Sequence, residues 1–479
     1  MKPEGGHREG PAQFDLDRCV RCGLCLNACP TYRELGLEMD SPRGRVYSMV
    51  QVADSAAAPG PSYIEHLDLC LGCRACETAC PSGVQYGRLI EAARAGLETV
   101  RPRSLAARLA RKLIFDGLLV SPVLLRLAGN LLYLYHRTGL RELLRGSGLL
   151  RELGLAALDP LTPPAERPFF FRQIGKVFPA EGARRYRVAF LAGCIANVSF
   201  ARLNEATIRV LRKNGCEVAV PSGQTCCGAL HVHSGLREQA RKLARRNIDA
   251  FLGGDCFFDR VIRILRLLTR SVLPRNGTAA VRERTSQSQH YDAIVTNAAG
   301  CGSTLKEYGE LLADDAAYAE RAKRFSALTK DINEFLDSIE LNREMGEVRA
   351  TATYQDSCHL AHGQRVRLAP RRLLEAIPGL VFREMPLADL CCGSAGIYNV
   401  VQSGMARAIL ENKMEAIDGT GAEIVVTANP GCLLQLRAGV ELYGHGQRVV
   451  HVVELLDEAY RKARPAQGNG LTTGKGRSD

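Results

Sequence analysis

The sequence predicts an α+β multidomain protein, in which a cysteine-rich α-helical domain precedes two copies of one α/β domain. The first observation is a run of four cysteines followed by proline, which occurs at Cys19–Pro30 and again at Cys70–Pro81. The second is an order of strands, helices and cysteines that occurs twice after residue 185. A chain of 479 residues is long enough for about three domains of this kind.

Both cysteine runs read C-x2-C-x2-C-x3-C-P, which is the bacterial pattern for binding [4Fe–4S] clusters. Three cysteines on a tight loop can bind three irons of one cluster, whereas the fourth is directed to the other cluster. A zinc ribbon or a disulfide framework does not predict two copies of this spacing. We therefore predict one cluster on Cys19, Cys22, Cys25 and Cys80 and a second on Cys29, Cys70, Cys73 and Cys76.

The segment between the two runs contains Ser41-Pro42-Arg43-Gly44-Arg45, which predicts a turn that leads into a helix. Arg43 and Arg45 have two interpretations. They are either solvated surface residues or cations close to the clusters, where they would raise the reduction potentials.

Residues 101–145 combine nine basic and two acidic residues with short apolar runs. Asp116, Pro122, Arg126 and Asn130 interrupt these runs before they reach the roughly 20 residues of a membrane-spanning helix. We predict amphipathic helices, which either pack on the cluster domain and a partner or rest on a membrane surface.

The predicted boundaries follow from these changes in composition. They are 1–13 for a disordered N-terminus, 14–99 for the cluster domain, 100–157 for the amphipathic helices, 158–185 for a Pro-rich linker, 186–345 and 346–463 for the two repeats, and 464–479 for a disordered tail.

Each repeat predicts a parallel α/β unit with cysteines after three of its strands. In chain order these are Cys194, Cys226, Cys227 and Cys301, and then Cys358, Cys391, Cys392 and Cys432. The spacing from the first to the second position is 32 residues in one repeat and 33 in the other. The final interval is longer in the first repeat, which predicts an insert at about 254–289. Cys216 and Cys256 have no counterpart in the other repeat, and we predict that they are structural thiols.

Ligand sites of α/β units collect at the carboxyl ends of the strands, where these eight cysteines are expected. Adjacent cysteines can bind two irons of an open cluster, and Gly228 and Gly393 would let the backbone approach that site. Buried core thiols would not explain four matching positions in both repeats. The eight cysteines are therefore candidates for a further iron–sulfur cluster or for thiol redox chemistry.

The chain resembles the iron–sulfur subunit of glycolate oxidase (glycolate dehydrogenase), with two ferredoxin-type motifs followed by two cysteine-rich CCG domains. The resemblance extends from Arg18 to about Ala463. Beyond the cysteines it rests on Cys29–Tyr32, Pro42–Arg45, Cys76–Val84, Arg246–Ala250, Gly300–Gly302, Lys306–Gly309, Leu390–Gly396, Asn412–Met414 and Val426–Asn429.

The resemblance implies an electron-transfer subunit of an oxidoreductase acting on CH–OH donors, inactive alone. It would relay electrons from a flavin subunit that oxidises glycolate to glyoxylate toward a quinone-type acceptor. The chain has no G-x-G-x-x-G motif that would open a dinucleotide fold, which agrees with a flavin on another subunit. The alternatives are CCG subunits of heterodisulfide reductase, anaerobic glycerol-3-phosphate dehydrogenase or D-lactate dehydrogenase. Heterodisulfide-reductase CCG domains end in a C-x-x-C pair, whereas these repeats end in the single residues Cys301 and Cys432.

Charge and cysteine content indicate where the protein acts. The net charge of +12 favours an acidic partner or anionic lipid, and we find no nucleic-acid motif. Eighteen cysteines in a large chain without an apolar leader favour a reducing compartment. We expect a cytoplasmic location, with peripheral contact at the inner face of the cell membrane as an alternative.

Overall fold

The structure, a computed structural model, describes residues 10–152, 159–253 and 290–463. The first of these ranges begins with the predicted cluster domain, which is helical. Its helices are Gln13–Asp17, Pro30–Leu35, Pro42–Ala53, Pro61–Asp68, Ala75–Thr78 and Tyr86–Val100, with a 3-10 turn at Glu38–Asp40. The predicted turn into a helix at Ser41 is confirmed, because the Ser41 hydroxyl accepts a hydrogen bond from Gly44 N at 3.0 Å and Pro42 opens the helix.

The basic segment forms helices that pack on the first repeat. The helices are Leu105–Lys112, a π-helix at Leu113–Leu118, Pro122–Arg137, Leu140–Gly146 and Leu149–Glu152. His231 of the first repeat contacts Phe115 through an edge-on ring contact and a 3.0 Å hydrogen bond to its carbonyl. Gly129 permits a second close approach, since a Cβ there would lie 2.5 Å from Val198 Cγ1.

The opposite face of these helices is apolar and exposed. Leu105, Leu109, Leu127 and Leu131 are each more than half exposed. Within the described ranges, no single helix has the length and apolarity to cross a membrane. The pair Leu105–Leu118 and Pro122–Arg137, bent by 105°, meets those criteria only when taken together.

The first repeat is built on a five-stranded sheet. Its strands are β1 Val177–Phe178, β2 Tyr186–Phe190, β3 Cys216–Ala219, β4 Ala293–Thr296 and β5 Thr329–Asp331, in the order β1-β3-β2-β4-β5. All neighbours are parallel except β1, which pairs antiparallel with β3. The Pro-rich segment that we predicted as a linker therefore contributes an edge strand to this sheet.

Helices connect the strands of the first repeat. They are Ala196–Ser199, Ala201–Lys213, Ala229–His233, Arg237–Leu252, Ala299–Lys306, Tyr308–Leu311, Ala319–Leu328 and Ile332–Asp337. The predicted insert at 254–289, including Cys256, lies outside the described residues, as do residues 1–9 and the predicted tail 464–479.

The second repeat has the same topology. Its strands β6 Ala350–Tyr354, β7 Leu380–Arg383, β8 Ile424–Thr427 and β9 Arg448–His451 are all parallel, in the order β7-β6-β8-β9. Its helices are a π-helix at His359–Gly363, then Leu368–Glu375, Tyr398–Val401, Ser403–Asp418, Pro430–Tyr443 and Val452–Lys462. The order β3-β2-β4-β5 corresponds strand for strand to β7-β6-β8-β9, so the predicted duplication is confirmed.

The two repeats share one hydrophobic core, which includes Phe190 and Val295 of the first and Tyr354 and Leu456 of the second. Helices Ala201–Lys213 and Val452–Lys462 pack together at this junction. Arg209 donates two hydrogen bonds of 2.8 and 2.9 Å to the buried Asp457 carboxylate across it. The repeats are therefore packed against each other through a continuous core.

Candidate iron–sulfur and thiol sites

The two N-terminal cysteine loops have the same backbone conformation. In each loop the residues before and after the second cysteine have positive φ: Arg21 and Gly23 in the first, Gly72 and Arg74 in the second. A left-handed arginine costs roughly 1 kcal/mol or more. Both loops therefore have the same strained backbone around their second cysteine.

Four of the eight N-terminal cysteines surround one internal cavity. This cavity is lined by Cys29, Cys70, Cys73 and Cys76, together with Arg45 and Tyr86. All four cysteines are buried. Cys19, Cys25 and Cys80 are half-buried against the core of this domain, and Cys22 is exposed.

This donor set fits a four-iron cluster. Thiolates are the ligands that iron–sulfur clusters use, and four of them face the cavity. In the part of the chain that the structure describes, no three His, Cys, Asp or Glu side chains converge closely enough to hold a single metal ion. The C-x2-C-x2-C-x3-C-P spacing of these cysteines is typical of a four-iron cluster.

Two hydroxyl groups around the cavity lie within hydrogen-bond distance of the sulfur atoms, and the Tyr86 hydroxyl donates to its sulfur. Tyr86 Oη lies 3.6 Å from Cys70 Sγ, and the Thr31 hydroxyl lies 3.2 Å from Cys29 Sγ. Hydrogen bonds to cluster sulfurs raise the reduction potential.

Of the two arginines between the cysteine runs, Arg45 lies close to the cluster ligands and Arg43 lies at the surface. Arg45 is buried, with Nη1 3.9 Å from Cys29 Sγ and Nη2 3.2 Å from Asp40 Oδ1. Burial alone would lower the pKa of Arg45, but the acidic groups of Cys70, Cys29 and Asp40 raise it above its ordinary value. Arg43 is a partly exposed residue that pairs with Glu38 at 2.7 Å.

The cysteines of each repeat form a chain of four thiols. In the first repeat, Cys194 neighbours Cys226, Cys226 neighbours Cys227, and Cys227 donates a hydrogen bond to Cys301 with 3.1 Å between the sulfurs. In the second repeat the same order links Cys358, Cys391, Cys392 and Cys432. We call these chains the first-repeat site and the second-repeat site.

Both sites lie where the strand order reverses. In each repeat the thiols follow the carboxyl ends of three strands, β2, β3 and β4 in the first and β6, β7 and β8 in the second. The central strand of the three is the switch point of the sheet, which is where α/β folds bind ligands. Cys216 lies within β3, outside the site, and burial raises its pKa to about 12.

Gly228 and Gly393 bring the backbone close to the thiols and also against a neighbouring helix. Both have positive φ, Gly228 N donates a hydrogen bond of 3.5 Å to Cys226 Sγ, and the backbone of Gly393 hydrogen-bonds Cys391. A Cβ at Gly393 would lie 2.6 Å from the carbonyl oxygen of Ala406, and one at Gly228 would lie 3.4 Å from Ala240 Cβ.

The two thiol sites differ in charge. Lys413 is buried beside Cys391 and Cys392, with Nζ 2.8 Å from the Leu387 carbonyl oxygen. Burial lowers the pKa of Lys413, and the two cysteines oppose that effect. The matching position in the first repeat is Asn247, since Lys413 is seven residues after Ala406 and Asn247 is seven residues after Ala240. Asn247 is neutral and donates to the carbonyl of Cys226 at 3.0 Å.

Asn429 joins the two sites. Its amide nitrogen lies 3.4 Å from Cys432 Sγ, and its amide oxygen accepts a hydrogen bond of 3.3 Å from Gly300 N, next to Cys301. Sequence reasoning missed the roles of Lys413 and Asn429, although both lie in stretches that carry the family resemblance. Their positions depend on contacts between distant segments.

These features define an iron–sulfur protein made of a two-cluster domain and two cysteine-rich α/β repeats. The model of a 4Fe-4S dicluster domain matches residues 15–84, and that of a cysteine-rich domain matches residues 188–262 and 352–437. A third model, described as the linker region of the glycolate oxidase iron–sulfur subunit, matches residues 106–162.

The chain belongs to the family of glycolate oxidase iron–sulfur subunits. It is 40% identical to the probable glycolate oxidase iron–sulfur subunit of Bacillus subtilis, over 94% of this chain and 96% of that protein. It is 31% identical to the glycolate oxidase iron–sulfur subunit of Escherichia coli, over 93% of this chain and 95% of that protein. A partial relative is a fumarate reductase (CoM/CoB) subunit of Methanothermobacter marburgensis, 32% identical over 57% of this chain and 46% of that protein.

Proposed function

We propose that this chain relays electrons within a complex that oxidises glycolate to glyoxylate. A partner subunit carries the flavin that accepts hydride, and this chain passes the electrons on singly toward a quinone-type acceptor. The observation that carries the proposal is the match over 94% of the chain to a probable glycolate oxidase iron–sulfur subunit. The match to a linker model specific to that subunit supports the same conclusion.

The division of labour follows from the cofactors. Flavins take up hydride, whereas iron–sulfur clusters exchange single electrons. This chain supplies cysteine sites for clusters, and its sequence has no dinucleotide motif. Its role in the complex is therefore transfer rather than substrate oxidation.

The cluster ligands belong to the same proposal. One [4Fe–4S] cluster is bound by Cys19, Cys22, Cys25 and Cys80, and the other by Cys29, Cys70, Cys73 and Cys76. The cavity lined by the second set supports this crossed arrangement. The first-repeat and second-repeat sites bind further iron–sulfur centres, and the four neighbouring thiols at each switch point support that assignment.

The complex works in the cytoplasm, at the inner face of the membrane. The cysteines of the described ranges are free thiols, which suits a reducing compartment. The helices of residues 105–137 expose Leu109 and Leu131 beside Arg108 and Lys112. Such a combination of apolar and basic side chains binds anionic lipid surfaces, where a quinone acceptor is also found.

Flotation of the assembled complex with vesicles tests the membrane contact. The wild-type complex should bind vesicles that contain anionic lipid and bind neutral vesicles weakly. A double variant, Leu109→Glu with Leu131→Glu, should lose this binding, whereas Leu368→Glu, at an equally exposed leucine of the second repeat, should keep it. Unchanged flotation of the double variant would show that this face serves a protein partner instead.

Reconstitution tests the relay. The chain alone, loaded with iron and sulfide, should not reduce an artificial acceptor in the presence of glycolate. Addition of the flavin subunits should start that reaction, and a Cys29→Ser chain should support it poorly. Glycolate oxidation by the isolated chain, or equal rates with the flavin subunits alone, would contradict the proposed role.

A further inference from the structure

The two repeats bind the same kind of centre but differ in how their thiols meet the cluster domain. Cys73, a ligand in the proposed second cluster, packs in one buried group with Cys391, Tyr398 and Ile409 of the second repeat. Cys358 packs against the same group. Ligands of the cluster and of the second-repeat site thus meet without solvent between them.

Hydrogen bonds hold this contact in place. The second cysteine loop is joined to the second repeat by Tyr398 Oη, which donates to Leu69 O at 2.9 Å. It is also joined by His359 Nε2, which lies 3.1 Å from Gly72 O. Just after the loop, the Thr78 hydroxyl lies 2.9 Å from His362 Nδ1.

The thiols of the first-repeat site pack against other segments. Cys194 lies against a buried group of Leu125, Phe171 and Val198, beneath the basic helices. Cys227 and Cys301 lie in a core of their own repeat.

The first repeat does touch the second cysteine loop, but through polar side chains rather than through its thiols. Arg74 of that loop donates to the Ser303 hydroxyl at 3.3 Å and pairs with Glu307. Among the described residues, the buried group around Cys73 contains cysteines of the second-repeat site and none of the first-repeat site. The apolar path from the cluster therefore leads to the second repeat.

The first-repeat and second-repeat sites also differ in the charge of a neighbouring side chain. Lys413 donates to the Leu387 and Ala388 carbonyl oxygens, close enough to Cys391 and Cys392 for these thiols to raise its pKa, whereas the equivalent Asn247 is neutral. A buried cation next to cluster ligands stabilises the reduced, more negative form and so raises the reduction potential. The second-repeat site is therefore built to take an electron from its neighbour.

We propose that the second-repeat site, and not the first-repeat site, is the direct electron acceptor of the cluster on Cys29, Cys70, Cys73 and Cys76, and that Lys413 sets its potential. One electron leaves that cluster, which is oxidised by one unit, and the same electron reduces the second-repeat centre by one unit. No proton or bond to carbon is exchanged in this step. The inference rests on the proposed function only for its claim that the repeats bind iron–sulfur centres.

Potentiometric EPR of the iron-loaded full chain tests the role of Lys413, with dithionite as reductant. Lys413→Gln keeps a donor for the Leu387 carbonyl but removes the charge. It should shift the potential of one repeat centre to more negative values and leave the N-terminal clusters unchanged. Lys306→Gln, which removes a lysine from the first repeat, is the matched control and should not shift that centre. Equal shifts in both variants, or none in Lys413→Gln, would overturn the proposal.

Magnetic coupling supplies an independent test. A centre that exchanges one electron has an unpaired electron in either its oxidised or its reduced state. In that state it broadens the EPR signal of a neighbouring cluster. Cys392→Ser should remove the broadening of the cluster signal, whereas Cys227→Ser, at the equivalent position, should leave it. The reverse result, or an iron content of only the two N-terminal clusters in the wild-type chain, would overturn the inference. Because dithionite replaces glycolate, failure of glycolate to reduce the complex would refute the proposed substrate but not this electron path.

Discussion

The two repeats share strand order and thiol order but differ in what surrounds each site. The second-repeat site lies against a cluster ligand and beside buried Lys413, whereas the first-repeat site has neutral Asn247 and packs under the basic helices. The duplicated fold supplies the same set of thiols twice. Side chains from neighbouring segments then give the two sets different surroundings, which is the basis of the different roles that we propose for them.

The largest effect, on cluster iron, is expected from substitution of Cys29. This residue is the proposed ligand of the cluster that lies beside the second repeat. Cys29→Ser should remove about half of the N-terminal iron, because it breaks the four-thiolate set around the cavity. Cys80→Ser is the matched change for the other cluster. Iron analysis and EPR of both variants make the test. Damage by Cys29→Ser to the cluster of Cys19, Cys22 and Cys25 alone would refute the crossed arrangement.

The glycines after the paired cysteines should respond unequally. Gly228→Ala places a side chain at φ +85°, which costs roughly 1 kcal/mol, and its Cβ meets Ala240 at a tolerable 3.4 Å. Gly393→Ala has the same backbone cost and also a 2.6 Å approach to the Ala406 carbonyl, so we expect a total of about 3 kcal/mol. Urea midpoints of the two variants measure the difference. Equal losses of stability in the two variants would mean that the second repeat shifts to relieve the contact with the Ala406 carbonyl.

The N-cap residues of two equivalent helices should make stability depend on pH in opposite directions. Asp331 ends β5 and caps Ile332–Asp337, and His451 ends β9 and caps Val452–Lys462, each within a capping box. Burial raises the pKa of Asp331 to about 7 and lowers the pKa of His451 to about 4.

The signs follow from proton binding in the folded and unfolded states. Folded Asp331 retains its proton between its ordinary pKa of 3.8 and about 7, so its contribution to stability falls as pH rises through that range. His451 is neutral when folded but protonated when unfolded between about 4 and 6.5, so its contribution falls as pH falls. Each shift corresponds to a change on the order of 3 kcal/mol.

An asparagine in place of either cap residue keeps a hydrogen-bond acceptor for the helix N-terminus but has no side chain that titrates. Relative to the wild type, Asp331→Asn should gain stability as pH rises from 4 to 7, and His451→Asn should gain it as pH falls over the same range. Urea unfolding at the two ends of the range measures these slopes, with exposed His445→Asn as control. Parallel slopes for the two cap variants would show that the caps do not titrate as their burial requires.

The smallest effect is expected from the interval that only the first repeat carries. The second repeat passes directly from Asp418 to Ile424 between corresponding elements, so this α/β unit closes without an insert. Deletion of residues 255–289 should therefore leave cluster iron and the urea midpoint unchanged. A loss of cluster iron would contradict this prediction, and a loss confined to partner or vesicle binding would give the insert a role in docking.

Local patterns in the sequence predicted the fold and the positions of the cysteines in it well. Cysteine spacing identified the two loops, and alternating strands and helices identified both repeats, because these signals lie within a few tens of residues.

Features that depend on distant segments were not predictable in this way. Strand β1 exists because Val177 pairs with Ala219 across the edge of the sheet, and its Pro-rich surroundings indicated only a linker. Arg45 is buried because Asp40, Thr31 and the His66 carbonyl satisfy its guanidinium group. The contact of Cys73 with Cys391 joins residues more than 300 positions apart.

Anaerobic reduction of the assembled complex by glycolate is the most direct test of the relay. Glycolate should bleach the visible absorption of the clusters on this chain, and a quinone analogue should restore it. D-lactate is expected to substitute for glycolate in this assay, since one added methyl group changes binding by only about 1–3 kcal/mol. Clusters that stay oxidised with glycolate but bleach with dithionite, or with glycerol 3-phosphate alone, would contradict the glycolate assignment. Reoxidation of pre-reduced clusters by a heterodisulfide, with no reduction by any 2-hydroxy acid, would show instead that the repeats are catalytic.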